Sequence, residues 1–278
     1  MALFINTNVT SINAQRQLAR ATLGISQSMQ KLSSGLRINQ ASDDVAGLAV
    51  AETLRSQSRS FMVAARNAND GISLIGIAEG SMQVIADGLV RMRELAEQSS
   101  SGTLSDTQRS ALQSEFSNLQ SEIDRIAETT KFNGINVISA TGTSVAFQVG
   151  VDSGSNNVIS LSSINTHSSA LGVGSSQAAV STQAAAQAAL TTLDSAISSL
   201  AQSRGTFGAL ENRLQSTIAN IQNAIENLSA SESRIRDVDV ATETANFTRQ
   251  QILQQASVSI LAQANQQPAL ALSLLRGQ

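Results

Sequence analysis

The chain has 278 residues, with 18 Lys and Arg against 21 Asp and Glu, one His, one Pro, and no Cys, Trp or Tyr. Ser, Ala and Gln number 42, 39 and 26, whereas charged residues make up only 14% against about 25% in a typical domain. Aromatic residues at 3% exclude a core dominated by large rings, which normally supply much of the buried area. This composition favours long helices packed closely through small side chains.

The net charge, the absence of Cys and the hydropathy pattern argue against nucleic-acid binding, thiol chemistry and membrane insertion. A formal net charge of −3 leaves no basic surface for a phosphate backbone, so no nucleic-acid partner is expected. The absence of Cys excludes disulfides, thiol catalysis and Cys-ligated zinc. The N-terminus lacks the pattern of a secretory signal, and no apolar run approaches the roughly 18 residues that span a bilayer. We therefore expect no membrane insertion, and any export must use a route that ignores such signals.

The first elements predicted are two helices with heptad-spaced apolar residues. A seam from Phe61 to Leu89 predicts a helix over residues 45–98, with the side chains of Asp43 and Asp44 at its start to cap free backbone N–H groups. At about 1.5 Å per residue this helix is far too long for a compact domain. A second helix follows a capping box formed by Ser105 and Gln108, and should end near residues 131–134.

The pattern changes between residues 137 and 164, where apolar residues recur with a period of about two. Together with the turn residues at 154–157, this predicts a β-hairpin. The segment 172–174, Gly-Val-Gly, is interpreted as a flexible joint. Heptad spacing then resumes from Ala186 to Leu228 and predicts another long helix.

The two ends of the chain carry apolar patterns that do not match each other. A thin apolar stripe follows the N-terminal segment, whereas residues 258–275 are apolar on several sides. A helix that is apolar all round must be buried all round, and one thin partner cannot cover it, so other copies of the chain are expected to do so. The candidate self-assembly residues are Ile5, Val9, Ile12, Leu32, Leu36, Ile252, Leu253, Ile260, Leu261, Leu270, Leu274 and Leu275.

No constellation of residues supports catalysis, and we predict no enzyme activity, metal or cofactor. His167, the only imidazole, lies in a Ser- and Asn-rich loop and is expected to be exposed; without Cys or a second His it cannot form a zinc site. The acidic doublets Asp43–Asp44 and Asp237/Asp239 precede helices and are interpreted as caps rather than as paired carboxylates.

Two charged residues interrupt otherwise apolar seams. Glu79 stands in the first long seam and Arg204 in the last. Either each side chain reaches out to solvent, or antiparallel helices place the two together, where they fix the register of the bundle. Both interpretations stay open at this point.

Motifs at both ends of the chain resemble those of bacterial flagellins. The N-terminal half carries INTN at 5–8, LSSGLRIN at 32–39, ASDDVAG at 41–47, RNANDGIS at 66–73, RELA at 93–96 and FNG at 132–134. The C-terminal half carries NRL at 212–214, SRIRD at 233–237, QILQQA at 251–256, LAQANQ at 261–266 and LLR at 274–276. The matches keep the family's order over some 200 residues, so the resemblance is specific.

The resemblance implies a mainly α fold, with a long antiparallel helical bundle, a small β-hairpin, and terminal helices paired as a coiled coil. It implies an inner-tube helix and spoke at 1–42, the first part of the bundle with its hairpin at 43–174, a C-terminal bundle helix at 175–234 and a C-terminal inner-tube helix at 235–278. The space between the two halves leaves no room for the variable outer domains of larger family members.

The resemblance also implies a structural, self-assembling subunit of the flagellar filament that serves swimming motility. Its implied partners are other copies of itself, the flagellar junction and cap proteins, an export chaperone, the flagellar export apparatus and a host innate immune receptor. The implied location is the secreted, extracellular filament, with a periplasmic or sheathed filament as a further option. Alternatives are a hook and filament junction protein, or a chemoreceptor-like helical signalling rod.

Three residues match the motif that the family's immune receptor reads, namely Arg91, Leu95 and Glu115; the alternative is an ordinary helix surface and subunit contact. Gly208 aligns with a family position where substitutions alter filament handedness. Together with the hairpin it is the candidate supercoil switch, although a glycine inside a helix can equally serve close packing.

Overall fold

A computed structural model describes residues 7–139, 142 and 144–276, with side chains described as far as residue 266. Long helices dominate it, as the composition predicts: α1 Val9–Ser34, α2 Val45–Ser100, α3 Asp106–Thr129, α4 Gln183–Arg236 and α5 Val240–Arg276. Four short strands lie between α3 and α4: β1 Lys131–Phe132, β2 Ile135–Asn136, β3 Ser144–Gln148 and β4 Val158–Ser162. The predicted mainly α fold with a β-hairpin is confirmed.

A side-chain oxygen caps the N-terminus of each of these five helices, as the Asx and Ser/Thr residues at the predicted boundaries indicate. Each oxygen accepts a hydrogen bond from a backbone N–H of the first turn; the capping residues are Asn8, Asp44, Ser105, Thr182 and Asp239. The predicted capping box of Ser105 and Gln108 is present in both directions. Sequence alone therefore located the starts of α2 and α3 to within a residue.

The chain divides into two compact units. A terminal unit comprises Met1–Ser56 and Asn227–Gln278, and a central unit comprises Gln57–Glu226. The domain boundaries predicted at residues 42 and 235 fall in or beside the connections that precede α2 and α5, and they stay a prediction.

The central unit contains an antiparallel helical bundle with a continuous apolar core. Contacts between α2 and α4 run in opposite directions along the chain, since Gly71 lies next to Leu214 while Arg93 pairs with Asp194. The fully buried side chains come mainly from α2, α3 and α4, and include Leu74, Ile75, Met82, Ile85, Leu89, Phe116, Ile123, Leu193, Leu200 and Phe207. The predicted apolar seams of these helices are therefore the core.

The predicted hairpin consists of β3 and β4, which pair antiparallel with Val145 opposite Leu161 and Phe147 opposite Ile159. Phe147, Ile159 and Leu161 are buried in the core of the central unit, so one face of the hairpin covers the bundle. A second, tighter hairpin was not predicted: β1 and β2 pair across Asn133 and Gly134, whose positive φ values of 47° and 80° suit a two-residue turn. Helix α3 consequently ends at Thr129, just before the predicted stop.

Two predictions about the segment between β4 and α4 are wrong. Val173, in the Gly-Val-Gly stretch interpreted as a flexible joint, is fully buried, and its carbonyl accepts a hydrogen bond from the side chain of Gln120 on α3 at 2.7 Å. His167 is only 22% exposed, with Nδ1 3.3 Å from Oδ1 of Asp124. The same carboxylate accepts hydrogen bonds from the backbone and hydroxyl of Ser168. Polar side chains on α3 thus hold this segment against the bundle.

Candidate assembly surface on the terminal helices

Helices α1 and α5 of the terminal unit pack against each other in antiparallel fashion. Asn8 donates to the carbonyl of Ala264, whereas Thr22, further along α1, accepts from Gln254. Among the described residues, the buried side chains at this contact are small, and comprise Ser11, Ala14, Ala21 and Ser28 on α1 and Ser257 and Ala264 on α5. The expected pairing of terminal helices is present, with Ser and Ala at the buried positions.

Most large apolar side chains of these helices face away from their mutual contact. Val9 and Ile12 are 59% and 50% exposed, so the stripe predicted from them is not the buried face of α1. On α5, Ile252, Leu253 and Ile260 are between 48% and 60% exposed. Leu32, Leu36 and Leu261 are half-buried, whereas Ile5 lies outside the described residues and the side chains of Leu270, Leu274 and Leu275 are likewise not described.

A groove of about 540 Å³ runs between α1 and α5. Its walls are largely apolar, with Ala14, Ala21, Leu253 and Ile260 among the lining residues, and Arg20 and Gln250 add polar groups. Apolar side chains clustered around an open groove are typical of a surface that another molecule covers. The pair of α1 and α5 therefore leaves apolar surface exposed to solvent, as expected from the apolar residues of the C-terminal segment.

The connections that lead into and out of the terminal helices lie side by side. Leu36 and Asp237 form an antiparallel β-bridge, and the backbone N–H of Arg37 donates to the carbonyl of Arg236 at 2.6 Å. Gly35 ends α1 in the left-handed conformation, with φ of 71°, which favours glycine at this position. This bridge ties the C-terminal end of α1 to the N-terminal side of α5.

Carboxylates reinforce both connections. Asp43 accepts hydrogen bonds from the backbone N–H groups of Gln40 and Asn39, which lower its pKa. Asp239 caps α5, and the hydroxyl of Thr242 together with nearby N–H groups lowers the pKa of Asp239. The prediction of capping is thus confirmed for Asp44 and Asp239. It is wrong for Asp43, whose carboxylate bonds the connection before α2, and for Asp237, which contributes its backbone to the β-bridge.

In the central unit the structure brings Glu79 and Arg204 together. The guanidinium of Arg204 donates from Nε and Nη2 to Oε1 of Glu79, at 2.8 and 2.6 Å. Glu79 raises the pKa of Arg204 through these hydrogen bonds. The second carboxylate oxygen of Glu79 is buried without a hydrogen-bond partner among the described residues. Of the two interpretations, the paired one describes this structure.

Of the three residues in the candidate immune-receptor surface, two are exposed and one is buried. Arg91 pairs with Glu115 at 2.8 Å and with Glu94 at 2.9 Å, and about half of each side chain is exposed. Leu95 is 1% exposed and belongs to the core of the central unit, because it lies on the inner face of α2. The predicted set of three therefore reduces to Arg91 and Glu115 as accessible groups.

Gly208 has open space where a side chain would begin, with no atom within 4 Å of an added Cβ. Close packing within the subunit therefore does not explain this glycine. By contrast, a Cβ at Gly71 on α2 would meet Leu214 at 3.2 Å and Phe147 at 3.3 Å.

One buried cation of the central unit was not predicted. Arg109, near the start of α3, is 4% exposed, and its guanidinium donates to the backbone carbonyls of Ser99, Ser101 and Leu104. These carbonyls lie at the C-terminus of α2 and just after it, where free acceptors and the helix dipole favour a cation. The only signal available was the position of an Arg in the first turns of a helix that follows a tight connection.

Helix α2 is the one helix, among the described residues, that is long and apolar enough to cross a membrane by composition alone. Its apolar face is buried in the core of the central unit, which accounts for the pattern. Across the same residues, no three His, Asp or Glu side chains come together as a group that could hold a metal ion.

The fold and the exposed apolar surface of the terminal helices define a helical assembly subunit. Residues 5–143 match the model of the bacterial flagellin N-terminal helical region, and residues 190–275 match that of the C-terminal helical region. The chain is 45% identical to a flagellin of Halalkalibacterium halodurans over 99% of its own length and 100% of the relative. It is 41% identical to the flagellar filament 33 kDa core protein of Treponema phagedenis, again over 99% and 100%.

Among solved structures, Bacillus cereus flagellin is similar with a TM-score of 0.51 and 32% identity, over 56% of this chain and 88% of that one. The chain belongs to the bacterial flagellin family, and it is a short form that serves as a subunit of the flagellar filament. Nothing in these similarities favours a signalling rod or a junction protein.

Proposed function

We propose that the outward faces of α1 and α5 are the surface through which copies of this chain polymerise. The observation that carries the proposal is the exposure of Val9, Ile12, Ile252, Leu253 and Ile260 beside a largely apolar groove. Each such side chain gains about 1.5–3 kcal/mol when it is fully removed from water. Burial against neighbouring copies would thus supply the driving force for assembly.

Charged substitutions on α5 test this surface. A double variant with Ile252→Asp and Ile260→Asp should fail to elongate filaments from sheared seeds, because assembly would bury unpaired charges. Ile77→Asp is the matched control, since Ile77 is an exposed isoleucine of the central unit. A chain without residues 270–278 should likewise keep a folded central unit but fail to elongate filament seeds. Seeded filaments of the double variant in negative-stain micrographs would contradict the proposal.

The location and the accessory partners of the subunit follow from family membership and belong to the same proposal. The subunit would leave the cell through the flagellar export apparatus and form an extracellular filament, with flagellar junction and cap proteins at its ends. A chaperone would cover the apolar C-terminal helix before export. A structural role without enzyme activity completes this picture.

Arg91 and Glu115 are proposed as accessible groups of an innate immune receptor surface. Their ion pair presents a fixed charge pattern on neighbouring helices, since Arg91 is on α2 and Glu115 on α3. Exchanging the charges with Arg91→Glu and Glu115→Arg preserves the pair within the subunit but inverts its pattern. Receptor signalling that is insensitive to this exchange would exclude the surface.

A further inference from the structure

The buried positions of the contact between α1 and α5 carry only Ser and Ala among the described side chains, and such small residues specify register weakly. Residues that recur at alternating intervals of three and four line the contact: Ser11, Ala14, Leu18, Ala21, Ile25 and Ser28 on α1, and Gln250, Gln254, Ser257, Leu261 and Ala264 on α5. On α1 a slip of seven residues exchanges Ala14 for Ala21, Leu18 for Ile25 and Ala21 for Ser28, so these positions keep side chains of similar size. In helix pairs of this kind, isolated polar contacts specify register.

Asn8 makes such a contact with both ends of its side-chain amide. Its Oδ1 caps α1 by accepting from the backbone N–H of Ser11 at 3.0 Å, and its Nδ2 donates to the carbonyl of Ala264 on α5 at 2.7 Å. The hydroxyl of Ser11 adds a second bond between the helices, to Oδ1 of Asn265 at 2.8 Å. The cap and the contact with α5 are therefore coupled at one end of the pair.

Further along α1, the side chain of Gln250 on α5 packs against Gly24. A Cβ at Gly24 would lie 2.9 Å from the side chain of Gln250, so Gln250 would have to change its rotamer if a larger residue stood at this position. After a slip of seven residues Gln250 would face Gln17 or Lys31, both of which carry side chains. A glycine inside a helix lowers helix stability by roughly 0.5–1 kcal/mol, and this contact gives a reason for it.

We propose that Asn8, Ser11 and Gly24 determine the register of the terminal helices, through the carbonyl of Ala264 and the side chains of Asn265 and Gln250. The inference rests on the proposed assembly surface in one respect, because register decides which exposed apolar residues of α1 lie beside those of α5. The register itself is a property of one chain and can be measured before any filament forms.

The absence of Cys from the chain makes engineered disulfides a clean measure of register. Nε2 of Gln254 lies 3.4 Å from Oγ1 of Thr22 in the structure, so the observed register favours a disulfide of Thr22→Cys with Gln254→Cys over the slipped pairs. Thr22→Cys with Leu261→Cys or with Phe247→Cys reports a slip of one heptad in either direction. Denaturing gels separate disulfides within a chain from those between chains, both for monomers and for filaments.

In the otherwise unsubstituted chain, the Thr22 and Gln254 pair should oxidise at least about tenfold faster than the slipped pairs. Asn8→Asp keeps the cap but loses the N–H donor, and together with Ser11→Ala and Gly24→Ala it should bring the three rates to within about twofold of each other. Asn13→Asp, the same change at an exposed α1 position, should leave the preference intact. Far-UV circular dichroism establishes that each variant keeps its helices.

Two results would overturn the inference. One is an unchanged preference for the Thr22 and Gln254 pair in the triple variant, which would mean that packing alone sets register. The other is the absence of that preference in the unsubstituted chain, as monomer and as filament. A chain that keeps the preference and elongates seeds although it carries Ile252→Asp and Ile260→Asp would instead contradict the proposed assembly surface, so the two failures are distinguishable.

Discussion

Single polar side chains decide where the helices of this subunit begin. Asp239 is the most instructive, because its carboxylate bonds two backbone N–H groups and the hydroxyl of Thr242 at the start of α5. All three bonds favour the ionised form, and they hold the pKa of Asp239 below its ordinary value. The folded state therefore binds a proton at this site less readily than the unfolded state does.

The first prediction is a loss of stability in acid that depends on Asp239. Because its folded pKa is lowered, its contribution is fully present above the unfolded value of about 3.9 and is lost as pH falls through the folded pKa. Urea unfolding between pH 6 and pH 2.5, followed by circular dichroism, should show this loss. Asp239→Asn keeps an oxygen acceptor for the cap but cannot titrate, so its stability should fall less over the same range. Parallel curves for both chains would exclude a role for this carboxylate.

The second prediction concerns the pair formed by Glu79 and Arg204. Both side chains are about one-third exposed, so solvent screens their attraction, and a coupling free energy of about 0.5–1 kcal/mol is expected. A double-mutant cycle with Glu79→Gln and Arg204→Gln, measured by urea unfolding, gives this value. The exchanged pair Glu79→Arg with Arg204→Glu should recover part of the loss. A coupling of zero would remove the idea that the pair fixes the register of the central bundle.

At the scale of helices and strands, heptad spacing located α2, α3 and α4, but the apolar stripe of the N-terminal segment selected the wrong face of α1. Counting large apolar residues points to Val9 and Ile12, whereas the structure buries Ser11 and Ala14 instead. Small side chains allow the helices to approach closely, which a hydropathy pattern does not register. On the proposed assembly surface the large apolar residues would face other copies, whereas the small ones form the contact within the subunit.

The segment between β4 and α4 could not be predicted for a different reason. Its path depends on Gln120 and Asp124 of α3, which lie more than forty residues earlier in the chain. From the sequence, polar residues on a helix are interpreted as a solvated face, because their partners lie far away in the chain and no local pattern identifies them. The hairpin of β3 and β4 was predictable, since its period of two and its turn residues are close together in the chain.

The third prediction compares two glycines that lie inside helices. Gly208→Ala should raise the free energy of unfolding by about 0.5–1 kcal/mol, because the position is open and alanine favours helix. Gly71→Ala is the matched control, since its Cβ would press on Leu214 and Phe147, and it should be neutral or destabilising. Urea unfolding of the purified chains provides both values.

The filament form of the Gly208→Ala variant then tests the candidate switch. If Gly208 is retained for conformational freedom during assembly, the more stable variant should form filaments of altered supercoil in electron micrographs. Filaments identical to those of the unsubstituted chain, with the expected gain in stability, would show that Gly208 is not a switch.

At the scale of the whole molecule, the two units differ in how much of their stability is intrinsic. The central unit has a continuous core of large side chains such as Leu89, Phe116 and Phe207. The helix pair of the terminal unit buries mostly Ser and Ala, while its large apolar side chains are about half exposed. Since burial of apolar area is the main favourable contribution to folding, the terminal helices should depend on neighbours for their stability.

Hydrogen exchange of backbone amides tests this dependence directly. In the monomer, amides of α1 and α5 should exchange through openings of low free energy, whereas those of α2 near Ile85 and of α4 near Leu200 should exchange only with the opening of the central unit. In the filament, protection of α1 and α5 should rise by orders of magnitude if neighbouring copies cover Ile252 and Ile260, as proposed. Equal protection of α1 and α5 in monomer and filament would mean that the terminal pair is stable alone and that its exposed apolar residues are not the surface buried on assembly.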